Sequence, residues 1–176
     1  MSDLVLDADT GSYRHPGDPG EPSTGNPRLS VTDDEATLLA ELVDGLDVLE
    51  IGTGLGVSTR ALASSAKSVV TVDPDPWVQA TVWPALPMNV AGFRQIPGRT
   101  MGDEWSTTFD AVFIDADHTT EAVRSDLAAA FAVVRPGGVV IAHDTAYRHV
   151  RDGLGDLDAW QFIDTVHGLG ILRVPS

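Results

Sequence analysis

The stretch Val48-Leu49-Glu50-Ile51-Gly52-Thr53-Gly54-Leu55-Gly56 carries the reading of the whole chain. An apolar run of strand type contains an acid at its end, and a loop with glycines at every second position follows it. The segment Val57 to Ala63 then reads as a helix. This is a strand–loop–helix unit whose backbone can lie against a ligand. Glycines leave no Cβ in the way, and the helix N-terminus offers unpaired N–H groups. The spacing Glu-x-Gly-x-Gly-x-Gly differs from the Gly-x-Gly-x-x-Gly that cradles a dinucleotide pyrophosphate, and no Lys-Ser/Thr pair follows, which excludes a P-loop.

A second apolar run, Ser68-Val69-Val70-Thr71-Val72, leads into Asp73. That acid lies roughly twenty residues past the glycine loop, where doubly wound folds place the carboxylate that binds a ribose hydroxyl. Together the two motifs resemble the class I S-adenosylmethionine (SAM) dependent methyltransferases, whose first motif reads like Val48 to Gly56 and whose second strand ends in an acid like Asp73. The resemblance implies a Rossmann-like α/β fold, a doubly wound sheet that is mostly parallel with an antiparallel C-terminal hairpin strand. It also implies SAM as cofactor.

The chain has 176 residues, 43% of them apolar, which suits one domain with a real core. Mean hydropathy is near zero, no uninterrupted apolar stretch reaches membrane-spanning length, and no basic segment followed by an apolar one marks a signal peptide. The expectation is a cytoplasmic protein with no membrane partner. Cysteine is absent, so disulfides, thiolate nucleophiles and Cys-ligated zinc are excluded. The formal charge of −15, with Lys67 the only lysine, repels phosphate backbones and argues against nucleic acid. Arg124, Arg148 and Arg151 are the local exceptions.

Residues 1–27 are rich in Gly, Pro, Asp and Ser and read as a mobile arm, with the methyltransferase-like domain occupying 28–176. Thr32 is the expected N-cap of a helix with Asp33, Asp34 and Glu35 in its first turn, an apolar stripe of Leu38, Leu39, Leu42 and Val43, and Gly45 past its end. Strands are expected at 47–51, 69–73, near 92–96, at 109–115 and at 139–142. A short helix falls around 76–82. Another starts at Thr119 or Thr120 and runs to Val134, with Leu127, Ala130, Phe131 and Val134 inward and Arg135-Pro136-Gly137-Gly138 ending it. Gln161 to Val166 and Gly170 to Val174 read as the closing hairpin.

Four acids, Glu50, Asp73, Asp115 and Asp144, stand at expected strand ends, where open α/β sheets bind ligands. Glu50 orders the glycine loop or meets the cofactor's amino group. Gly52, Thr53, Gly54 and Gly56 face the cofactor, Asp73 takes the ribose hydroxyls, and Arg99 and Thr100 lie in the loop where this fold commonly holds adenine. The segments Ile114-Asp115-Ala116-Asp117-His118 and Ala142-His143-Asp144-Thr145 are similar to those of the small cation-dependent O-methyltransferases of the catechol and caffeoyl-CoA type, and of related sugar and antibiotic O-methyltransferases. That resemblance implies that Asp115 and Asp144 are metal carboxylates and that Asp117 is a cofactor-side acid. Thr145 stands where an Asn ligand is usual, His118 replaces the Lys that serves as base, and His143 is the alternative donor. Mg²⁺ between two carboxylates would lower the pKa of an acceptor hydroxyl and fix its position, and a histidine of near-neutral pKa could take the proton. His15, His149 and His167 receive no role.

The expected activity is methyl transfer from SAM to a hydroxyl of a small molecule, with Mg²⁺ assisting. The alternatives are metal-independent methylation of a nitrogen or carboxylate, and a SAM-binding protein without catalysis. The acceptor pocket would come from residues 1–30, 84–90 and 145–160, and is either open or completed by the second subunit of a homodimer.

Overall fold

The computed structural model describes residues 5–6, 13–14, 30–93 and 108–176. Two short strands, β1 (Val5–Leu6) and β2 (Tyr13–Arg14), pair antiparallel. The main sheet contains β3 (Asp47–Ile51), β4 (Ser68–Val72), β5 (Val90–Phe93), β6 (Phe109–Ile114), β7 (Val134–Ala142), β8 (Gln161–Ile163) and β9 (Leu169–Arg173). Their order is β5-β4-β3-β6-β7-β9-β8. The first five pair parallel, while β9 runs antiparallel to both β7 and β8. The mostly parallel sheet with its antiparallel closing hairpin is therefore as expected.

Helices α1 (Asp33–Leu42), α2 (Val57–Ala63), α3 (Pro76–Thr81), α4 (Thr120–Val133) and α5 (Arg148–Leu154) cover the sheet. Because successive strand residues point to opposite faces, the core divides into two. Leu49, Ile51, Val112, Ile114, Val140 and Ala142 meet Val123, Ala130 and Val133 of α4 and Val150 and Leu154 of α5. Val48, Ala111, Phe113 and Ile141 join Leu39 of α1 and Leu62 of α2 on the other face. Burial of both faces explains why these strands read as nearly continuous apolar runs. After β5 the chain crosses β3 to begin β6, so the order reverses between β3 and β6. Ligands bind at the carboxyl ends of strands at such a switch point.

Four details differ from the sequence expectation. The third strand lies at Val90–Phe93, earlier than 92–96, and residues 94–96 fall outside the described ones. In α4 it is Val133, not Phe131, that is buried with Ala130; Phe131 is exposed. The Arg135-Pro136-Gly137-Gly138 turn belongs to β7, whose register against β6 shifts there, with Phe109 opposite Val134 and Ala111 opposite Val139. Residues 145–160 are not merely a loop: α5 forms there, although no side chain caps its start. Packing holds it, since a Cβ at Gly153 would sit 2.6 Å from Val123 Cβ.

Candidate active site

The glycine loop leaves β3 as expected and α2 begins at Val57. Gly52 has φ +99, and a Cβ there would lie 2.1 Å from the Asp115 carbonyl oxygen, so only glycine lets the loop cross the end of β6. Gly54 has φ +49, and among the described residues no atom beyond its chain neighbours lies within 4 Å of where its Cβ would be, which leaves that side of the loop open among them.

Asp73, buried at the end of β4, holds the loop from beneath. Its Oδ2 accepts from the backbone N–H groups of Thr53 (3.1 Å) and Gly54 (3.0 Å), and its Oδ1 accepts from Asp75 N (2.8 Å). Burial raises its pKa despite these bonds. Thr53 Oγ1 lies 2.6 Å from Thr71 Oγ1 and accepts from Trp83 Nε1 at 3.3 Å. Glu50 is fully buried, and its carboxylate accepts from Ser58 Oγ (2.6 Å), Thr59 Oγ1 (2.5 Å) and Thr71 Oγ1 (2.6 Å). Of the two roles expected for Glu50, its bonds are those of loop ordering, because they lock the first turn of α2 to β3 and β4. Arg99 and Thr100 lie outside the described residues.

Across the switch point, β6 and β7 end side by side, with Ile114 opposite Ala142. Asp115, His118, His143 and Asp144 converge there. Asp144 takes the left-handed backbone conformation (φ 58), rare for a non-glycine residue and a mark of strained functional positions. His118 Nε2 bonds Asp144 Oδ2, while Asp144 Oδ1 is buried and has no hydrogen-bond partner among the described residues. His143 Nδ1 lies 3.3 Å from both Asp115 Oδ1 and Asp144 Oδ2. Burial works against charge on His143, but Asp115, Asp144 and Glu35 outweigh it and push its pKa up to about 12. His118 is likewise raised, burial being overcome by its bond to Asp144 and by the charges of Asp144 and Asp115. Burial would raise Asp144, yet its bonds to His118 and His143 bring it well below the usual carboxylate range.

Ligand atoms of Asp115, His118 and Asp144 lie within 4.8 Å of one another, a spacing that suits one cation. Thr145, the expected third donor, is buried. Its hydroxyl lies against Gly168, 2.7 Å from where a Cβ there would sit, and its carbonyl accepts from Arg151 Nε at 2.6 Å. Asp117 accepts from Thr119 N (2.7 Å), and Thr119 caps α4. The three arginines named above are engaged around α4 and α5: Arg124 donates to Asp152 O, Arg148 pairs with Asp152, and Arg151 stacks on Phe162.

Sequence reasoning missed Glu35 and His167. Glu35 caps its own helix, with Thr32 N donating to Oε2 at 2.8 Å, but it is also fully buried behind His143. Its Oε1 accepts from Thr165 Oγ1 (2.6 Å) and His167 N (3.0 Å), and its Oε2 faces His167 Nδ1 (3.0 Å) and His143 Nε2 (3.4 Å). Thr32-x-x-Glu35 is a legible capping box. No local pattern shows that the same glutamate reaches residues 108 and 132 positions away.

The family described as "Methyltransferase domain" matches residues 49–145, from β3 through Thr145. A protein of Mycolicibacterium paratuberculosis, provisionally named an O-methyltransferase, is 30% identical over 128 residues, covering 62% of this chain and 53% of the relative. The chain spans about half the length of the curated relatives it matches. Among solved structures, an O-methyltransferase from Bacillus cereus in complex with SAH superposes with TM-score 0.72 at 22% identity, covering 84% of each chain. An O-methyltransferase from Streptomyces achromogenes involved in tomaymycin synthesis, in complex with SAM, gives 0.66 at 21% identity, covering 85% of this chain and 83% of the other.

Proposed function

The chain belongs to the methyltransferase-domain family, and on that premise we propose that it binds SAM and moves the methyl group to a hydroxyl of a small molecule. The observation that carries the reading is the contact of Gly52 with the Asp115 carbonyl, which sets the glycine loop directly against the carboxylate–histidine cluster. Donor and acceptor would then meet at one strand end, and most of the rate would come from their alignment. The solved neighbours in complex with SAH and SAM support the cofactor.

In this reading Gly52, Thr53, Gly54 and Gly56 lie along the methionine end of SAM, whose bulk enters on the open side of Gly54. Asp73 and the loop face the ribose, and binding draws on a carboxylate that already orders the loop. Glu50 acts through the loop, and Asp117 sets the start of α4 beside the cofactor. The buried Oδ1 of Asp144, without a hydrogen-bond partner among the described residues, fits a cation, with Asp115 and Asp144 as carboxylate donors. Bound Mg²⁺ would supply positive charge that acidifies the acceptor hydroxyl. His118, anchored by Asp144, is the base that takes the hydroxyl proton.

A second reading, metal-independent transfer to a nitrogen or carboxylate, is favoured by one observation. The His143 imidazole sits between Asp115 and Asp144 and offsets their charge from within. The chain is proposed to act in the cytoplasm, alone or as a homodimer; no helix among the described residues is long and apolar enough to cross a membrane. Calorimetry with SAM and SAH tests the cofactor. Micromolar binding is expected, weakened about tenfold to a hundredfold in Asp73→Ala, which loses charge-assisted hydrogen bonds. Heat with NAD and none with SAM or SAH would sink the reading. Transfer of a ¹³C-labelled methyl from SAM across a panel of phenols, sugars and amines then identifies the acceptor atom.

A further inference from the structure

Behind the carboxylate pair, three polar side chains converge in the core. Glu35, His143 and His167 are 0%, 2% and 7% exposed. Glu35 Oε2 has four nitrogen or hydroxyl neighbours: Thr32 N at 2.8 Å, Thr32 Oγ1 at 3.1 Å, His167 Nδ1 at 3.0 Å and His143 Nε2 at 3.4 Å. A carboxylate oxygen has two lone pairs and does not accept well from all four. The Thr32 contacts belong to the capping box, so the two imidazole nitrogens share what remains of one oxygen.

His143 sharpens the point. Its Nδ1 faces Asp115 Oδ1 and Asp144 Oδ2, each at 3.3 Å, and therefore carries a ring proton. Its Nε2 faces the Glu35 carboxylate from 3.4 Å, long for a hydrogen bond but close to the separation of two ligands on one ion. Around a tetrahedral zinc ion with bonds of 2.0–2.1 Å, neighbouring ligand atoms are roughly 3.3 Å apart. The two Glu35–histidine separations, 3.4 and 3.0 Å, bracket that spacing. A carboxylate accepting the other N–H of a metal-bound histidine is the usual outer support of such a ligand, and Asp115 stands where that support would be.

We propose that Glu35, His143 and His167 form a second metal site, distinct from the Asp115–Asp144 pair, that takes a zinc-class dication through Glu35 Oε2, His143 Nε2 and His167 Nδ1. The donor set of two imidazoles and a carboxylate suits zinc better than magnesium. The ion would tie the start of α1 to the end of β7 and the β8–β9 turn, elements far apart in sequence, and would hold His143 in place beside Asp115 and Asp144. Its contribution is to stability and to the position of the pair, whatever the methyl acceptor is.

The test uses the full chain, stripped with a chelator and titrated with Co²⁺ as a visible stand-in for zinc. One equivalent should produce the absorption bands of a four-coordinate Co²⁺ site, bleached by Zn²⁺, in the parent protein and in Asp144→Asn. Glu35→Gln and His167→Asn should bind Co²⁺ at that site roughly 100-fold more weakly, a loss at least as large as removal of an outer support. In the parent protein, added Zn²⁺ should raise the melting midpoint and shift the ¹⁵N resonances of His143 Nε2 and His167 Nδ1, a readout that needs no variant. The proposal is overturned if Co²⁺ bands vanish in Asp144→Asn and persist in the other two. It is equally overturned if no ion binds at equimolar concentration, or if zinc-supplied protein keeps protons on both His143 nitrogens.

Discussion

Two glycines in the same loop carry different loads. At Gly52 a Cβ would lie 2.1 Å from a backbone oxygen, and backbone cannot swing aside as a side chain can. At Gly54 the surroundings are open among the described residues, and within them only the left-handed φ of +49 resists a side chain. Gly52→Ala should therefore destabilise the fold by about 3 kcal/mol or more, among the larger single-residue effects. Gly54→Ala should cost about 1–2 kcal/mol for the left-handed conformation yet lose SAH binding, because the methyl occupies the open side. Urea midpoints paired with calorimetry check both; equal stability losses, or parental SAH affinity in Gly54→Ala, would refute the division of roles. The glycine spacing was legible as a tight strand-to-helix loop. Which glycine faces protein and which faces open space was not, because that depends on where β6 ends.

At the scale of elements, Glu50 joins three of them through hydroxyls donated by α2 and β4. Burial raises its pKa to about 7 from an ordinary 4.5, although the hydroxyl bonds pull the other way. The folded chain therefore binds a proton that the unfolded chain has released across that window. Stability from this group is complete below pH 4.5, falls as pH rises to about 7, and is level above it. The loss is about 3 kcal/mol. Glu50→Gln keeps an acceptor for the hydroxyls without the titration, so its stability relative to the parent should rise by that amount between pH 4.5 and 7. Urea melts of the two proteins across this range decide it; parallel profiles would mean that Glu50 is not the titrating group. Element boundaries from α1 to β4 were readable because caps, glycines and apolar runs are local signals. Helix α5 was not, since its start has no side-chain cap and its packing on α4 is a tertiary contact.

For the whole molecule, the mostly parallel sheet brings the ends of β3, β6 and β7 to one edge, where Gly52 lies against the Asp115 carbonyl and Asp115, His118 and Asp144 converge. A net charge of −15 makes that edge a natural place for a cation. If a divalent ion serves the reaction, EDTA should abolish methyl transfer and Mg²⁺ or Mn²⁺ should restore it. Asp144→Ala should be inactive while binding SAM at parental affinity, and Thr145→Ala should retain most activity. Full turnover in EDTA would instead select the metal-independent reading, in which His143 offsets the two carboxylates and His118 acts alone as base.

What the sequence by itself determined is whatever local chemistry encodes: the strand–glycine loop–helix unit, the acids at strand ends, the capped start of α1 and the alternation that makes a doubly wound sheet. These follow from backbone sterics and from the periodicity of burial, which nearby residues report. Only the tertiary structure decided that Asp73 grips the glycine loop, that His118 joins the carboxylate pair, and that Glu35 and His167 close around His143. Each of these pairings spans from about twenty to more than a hundred residues. Side chains that far apart meet only after strand order and register are set, and no spacing along the chain records where they meet.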